Sequence, residues 1–105
     1  VNRLGPHFLH VPLKDCAAYT LSIEAVEVDG EVMRLLHCVV RDWSATTARL
    51  VAADVSTLAA LCQAPLYVMK SEVDEKFRAF VGLYGFAPCA DVEIAGHRVE
   101  VFKRG

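Results

Sequence analysis

A basic surplus is the first thing missing: 11 Lys and Arg stand against 13 Asp and Glu, for a formal net charge of -2. No positive field is present to gather a nucleic acid, so that class of partner is excluded. Long apolar runs are absent too. The strongest, around Leu35 to Val40 and Leu58 to Cys62, fall far short of the roughly 20 residues that cross a bilayer, and no membrane partner is expected. The opening stretch from Val1 to Pro12 holds a single Arg and no apolar core, so it does not read as a secretion signal, and cytoplasmic synthesis is expected. Cys16, Cys38, Cys62 and Cys89 form no Cys-x-x-Cys pair, and three of them lie among apolar neighbours where a reduced thiol packs as a small hydrophobe. Zinc-type spacings are missing as well. His7 and His10, three apart on a strand, would point to opposite faces, so no metal site is expected.

What remains is a chain of 105 residues, 54% hydrophobic and 23% charged, which suits one domain spanning residues 1–105. Residues 1–18, with Gly5, Pro6 and Pro12, read as an extended or edge-strand arm, because Pro12 removes a ladder donor. Tyr19, Leu21 and Ile23 alternate with Thr20, Ser22 and Glu24 as in a half-buried strand. At Ala25-Val26 the apolar phase shifts by one, which predicts a bulge or bend. Asp29-Gly30 is a tight hairpin turn, and Val32 to Val40 returns as a strand expected to be covered on both faces. A helix capped within Ser44 to Thr47 should run to about Cys62, stopped by Pro65. Leu66 to Met69 follows as a strand. Ser71-Glu72-Val73-Asp74 is patterned as a capping box for a second helix with a Phe77, Phe80, Val81, Tyr84 stripe, ended by Gly85. Val92 and Ile94 then pair with Val99 and Val101 about Ala95-Gly96. The fold class is therefore α/β: a mixed, mostly antiparallel sheet with two main helices.

This order, with Val40-Arg41-Asp42-Trp43 leading into one helix and Leu83-Tyr84-Gly85-Phe86 closing another, resembles the C-terminal two thirds of GNAT-type N-acetyltransferases. The resemblance covers roughly Tyr19 to Arg104. It implies a loop and helix start that holds the pyrophosphate of acetyl-CoA, here at Ser44, Ala45, Thr46 and Thr47. The family's Gln/Arg-x-x-Gly-x-Gly/Ala loop has no glycine in this stretch, although a helix N-terminus still offers amides to an anion. Counting back from Gly85-Phe86, the family's frequent Asn falls at Asp74 and its frequent general-acid Tyr at Val81, so Tyr84 is the candidate substitute. Glu24, among Glu27, Asp29 and Glu31, is the candidate general base, against the plainer reading of a solvated hairpin face. Small GNAT-like proteins of tailed phages, internal virion proteins included, are similar in the short helix, Gly and closing hairpin.

Other residues carry less chemistry. His37-Cys38 are strand neighbours and face apart, and an apolar run raises a thiol pKa, so they do not read as base and nucleophile. Trp43 is read either as an interface anchor or as a plug for the sheet end. The departures from the family favour a non-catalytic interaction or assembly protein, of the phage virion kind. Its partners would be a protein or a second copy, met through the N-terminal arm or edge strands at Phe8 to Leu13 and Val99 to Phe102. The alternatives are a small N-acetyltransferase passing an acetyl group from acetyl-CoA to an amine, and a CoA-binding regulatory module.

Overall fold

The computed structural model describes residues 4–105, with side chains from His10 onward. The first three residues of the N-terminal arm, and the His7 side chain, lie outside the described part. Six strands and two helices follow one another as β1 (Leu4–Asp15), β2 (Tyr19–Val28), β3 (Glu31–Val40), α1 (Ala45–Cys62), β4 (Leu66–Lys70), α2 (Glu75–Leu83), β5 (Ala87–Ile94) and β6 (His97–Arg104). They build one sheet in the order β1-β2-β3-β4-β6-β5. All neighbours are antiparallel except β3 and β4, which are parallel because α1 carries the chain back across the sheet between them. The α/β class with a mixed, mostly antiparallel sheet and two helices is thus what the chain adopts. Residues Val99 to Phe102, expected at an edge, instead lie on β6 between β4 and β5; β1 and β5 are the edges.

Local chemistry explains the elements. The β2–β3 turn places Asp29 at φ 52° and Gly30 at φ 85°, the pair of positive values that a two-residue hairpin requires. From Tyr19↔Val40 to Val28↔Glu31 the β2–β3 register runs without a break, so no bulge separates these strands at Ala25-Val26. The irregularity sits across the other ladder, where β1 advances from His7 to Leu9 while β2 moves from Val26 to Ala25. The phase shift has a different cause. Tyr19 and Leu21 face the helices, whereas Val26 and Val28 face the opposite side of the sheet with Leu35. One strand serves two cores.

Both helices cover the same face. Val51 and Val55 of α1, and Val81 and Tyr84 of α2, are buried against Tyr19, Leu21, Leu36, Leu66 and Phe102. Burying each such aliphatic side chain contributes about 2 kcal/mol. On the far face Met33, Tyr67 and Met69 bridge a cluster around Val26 and Leu35 to one around Val92, Val99 and Val101. The strand Val32 to Val40 is covered on both sides only at Leu35 and Leu36; Val32 is 52% and Val39 60% exposed. The physical reason is that Val32 lies at the hairpin end and that β4 parts from β3 before Val39 is reached. Cys16, Cys38 and Cys62 pack as free thiols against the helix-side core.

Helix ends follow their caps. Ser44 accepts the Thr47 amide at 3.1 Å, and Gln63 closes α1 in the left-handed region at φ 51°. For α2 the cap is Asp74, whose carboxylate accepts the Phe77 amide at 2.8 Å. The expected box beginning at Ser71 is therefore displaced: the shorter Asp works better as the cap than as the returning partner. At 18 residues and a mean hydropathy of 1.2, α1 has the length and composition of a membrane span, yet it docks on the sheet through Val51 and Val55. A radius of gyration of 13.6 Å is that of a compact domain of this size.

Candidate functional site: the cleft between strands three and four

The parallel pairing of β3 with β4 is short. Arg34 faces Leu66 and Leu35 faces Tyr67, after which the ladder stops while both strands continue. A cavity of about 230 Å³ opens between Leu36 to Val39 on one side and Val68 to Lys70 on the other, floored by Val51 and Val55 and walled by Phe77, Phe80, Val81, Tyr84 and Phe86. Unpaired strand ends normally close up to satisfy their backbone groups. Here the aromatic side chains of α2 help to line the opening.

Tyr84 is the polar exception in this apolar wall. Its residue is 8% exposed, and its hydroxyl is buried without a hydrogen-bond partner. A buried hydroxyl left unpaired costs about 1–3 kcal/mol. Burial, and then the neighbouring Cys38, push the phenol pKa up, so Tyr84 holds its proton throughout the physiological range. Cys38, on the same face, is also raised by burial and remains a thiol. Edge-to-face contact with Phe80, 5.3 Å between centroids, fixes the Tyr84 ring. Val81 lines the same cavity one turn earlier. Gly85 adopts φ 85°, which lets the chain leave α2 directly after Tyr84.

Glu24 does not line the cavity. It points to the far face of the sheet, where its side chain is 15% exposed and meets His37 Nε2 at 2.7 Å. His37 does line the cavity. Beside this pair, His10 on β1 approaches Ser22 Oγ at 3.0 Å, and the two imidazoles lie 5.6 Å apart. Sequence reasoning missed the Glu24–His37 pair, although a signal was present. A two-residue turn at Asp29-Gly30 sets Val28 against Glu31, and counting outward puts Ser22 opposite His37, with Glu24 as its diagonal neighbour. No group of three or more metal-ligating side chains occurs among the described residues.

The four residues expected to hold a pyrophosphate behave differently from one another. Ser44, Ala45 and Thr46 are exposed at the start of α1, whereas Thr47 is 3% exposed. Thr47 is tied inward: its hydroxyl donates to the Asp42 carbonyl at 2.9 Å and accepts from Ser44 Oγ at 3.1 Å. The Thr47 amide is given to Ser44, while the Ala45 and Thr46 amides, in the first turn, have no acceptor within the helix.

Next to this helix start lies a groove formed by Val40, Trp43, Asp74, Phe77, Phe80 and Leu83. Phe77 and Phe80 line both groove and cavity, so the two adjoin. Trp43, 51% exposed, packs its ring 5.5 Å from Phe80 and forms a rim to the groove instead of plugging the sheet. Comparison with protein-family models, curated proteins and solved structures finds no match to this chain.

Proposed function

We propose that this chain is a degenerate acyl-CoA N-acyltransferase domain that holds an acyl thioester between β3 and β4 and passes the acyl group to an amine. The observation that carries this reading is the unpaired, buried Tyr84 hydroxyl in an apolar cleft made by two parting parallel strands. The GNAT resemblance read from the sequence fits this arrangement, with β3, α1, β4, α2 and the β5–β6 pair in the order that the family uses.

The residues present fit an acyl-CoA in part. Apolar walls from Val51, Val55, Phe77 and Phe80 suit an acyl chain and its flexible arm, and the adjoining groove runs beside Trp43, two residues before Ala45 at the start of α1. The missing glycines and the Asp74 carboxylate weaken the hold on phosphate. Acetyl-CoA would supply an activated carbonyl. Tyr84 then keeps a proton available beside it, and the aromatic wall keeps water away.

A second reading, a non-catalytic interaction or assembly protein of the virion kind, is favoured by a different observation. Trp43 and Leu83, 51% and 69% exposed, present an apolar rim of the sort that protein partners cover. The discriminating experiment is an acetylation assay with acetyl-CoA and a primary amine on the wild-type chain and Tyr84→Phe. Turnover that falls at least tenfold in the variant supports the enzyme; no turnover, with capture of a second copy or a protein partner lost on Trp43→Ser, supports assembly.

A further inference from the structure

The cavity between β3 and β4 is much larger than an acetyl group. Its volume is about 230 Å³, and Leu36, Val51, Val55, Val68, Phe77 and Phe86 give it a largely apolar lining. A dry apolar cavity of about 150 Å³ takes benzene, with its six carbons. At the same packing, 230 Å³ takes about nine carbons, and the two carbons of an acetyl group leave most of the space empty.

The space is also held open. Phe77 meets Phe102 edge to face at 5.5 Å between centroids, and Phe80 is braced by Tyr84 at 5.3 Å and by Trp43 at 5.5 Å. Rings fixed by other rings do not swing inward to fill the gap. The floor is equally settled, with Val51 and Val55 at 1% and 2% exposure in the helix-side core. A preformed apolar space of this kind binds an apolar group without first having to order its walls.

Lys70 gives the cavity a polar rim. It is exposed at the end of β4, its ammonium lies 5.3 Å from the Phe77 ring, and among the described residues it forms no ion pair. Glu100, opposite Lys70 in the β4–β6 ladder, is taken by Arg78 at 2.9 Å. The head of an amphipathic ligand therefore belongs at this rim and its tail among the valines and phenylalanines.

We infer that the β3–β4 cavity holds a medium-length aliphatic acyl tail, about six to nine carbons long, carried as a thioester or as the free carboxylic acid. The thioester form rests on the acyltransfer reading above, and the free acid rests on the cavity alone.

The test is a calorimetric series on the full wild-type chain with acetyl-, butanoyl-, hexanoyl-, octanoyl- and dodecanoyl-CoA, and with octanoate. Affinity should rise about fourfold for each added methylene as far as octanoyl-CoA and then level or fall at dodecanoyl-CoA, because the further carbons have no space. Val68→Phe, which puts a ring into the cavity wall, should move the break to a shorter chain; the wild-type series decides the question without it. Equal affinity for acetyl- and octanoyl-CoA overturns the chain-length inference and leaves the acyltransfer reading standing. A rise that continues unbroken through dodecanoyl-CoA also overturns it, since the cavity then sets no limit. Binding of octanoate with no binding of any CoA ester supports the cavity assignment and overturns acyltransfer. No binding by any member of the series overturns both.

Discussion

At the scale of single residues, the two groups that decide the account are tyrosines with opposite circumstances. Tyr19 is fully buried, yet its hydroxyl donates to Asp54 Oδ2 at 2.5 Å, and Lys14 donates to the same carboxylate at 3.0 Å. Burial pushes the Asp54 carboxyl up, but the hydrogen bonds from Tyr19 and Lys14 outweigh it and hold the group below its ordinary 3.8. A depressed carboxyl stabilises the fold above its unfolded pKa and loses that contribution as pH falls through the folded value. Urea melts should accordingly show Asp54→Asn less stable than wild type at neutral pH, with the gap closing in acid as Asp54 takes up its proton. Tyr84 has no such partner. Replacing it with Phe removes an unsatisfied hydroxyl and should leave the melting temperature unchanged or higher, while acetyl-CoA turnover drops. A Tyr with a structural hydrogen bond would behave in the opposite way, so thermal melts beside the acetylation assay separate the two roles.

Among elements, the caps and the parting strands matter most. Asp74→Ala should cost about 1 kcal/mol in denaturant unfolding, because α2 loses the acceptor for its Phe77 amide. Gly85→Ala should cost a similar amount, about 1 kcal/mol, since Gly85 sits at φ 85° and an added Cβ would also come within 3.1 Å of the Arg104 side chain. Thr46→Asp tests the α1 start separately: an acidic residue there suits the helix dipole, so stability should hold while binding of a phosphate-bearing ligand weakens in calorimetry. Much of this layout was legible beforehand. Both helices, the Asp29-Gly30 and Ala95-Gly96 turns and the Gly85 stop follow from local chemistry that needs no tertiary partner. Three features were not. The two-faced use of β2 mimicked a bulge because a change of face and an inserted residue give the same apolar phase. The Asp74 cap was hidden by an equally plausible Ser71 three residues earlier. The inner position of β6 depends on which strands pair across the sheet, and alternation cannot report that.

For the molecule as a whole, the same distinction separates fold from site. Periodicity determines which residues turn inward, so the helix-side core around Tyr19, Val51, Val55 and Phe102 is largely a consequence of pattern. The cleft is a consequence of where a ladder ends. Nothing in Leu66 to Lys70 announces that only Leu66 and Tyr67 pair with β3, so Tyr84, a member of the core stripe by pattern, is found lining a cavity with its hydroxyl buried and unpartnered. Glu24, chosen for its charge, lies off the cavity and meets His37 at 2.7 Å, a residue the alternating pattern had set aside. The central claim, that the β3–β4 cleft takes an acyl thioester, is tested most directly by calorimetric titration of the wild-type chain with acetyl-CoA, paired with thermal melts in the same ligand. The account predicts saturable micromolar binding and a melting temperature that rises with ligand concentration, because binding to the native state alone must stabilise it. No heat and no shift at millimolar ligand would contradict it, and would leave the exposed Trp43 and Leu83 rim as the surface through which the chain acts.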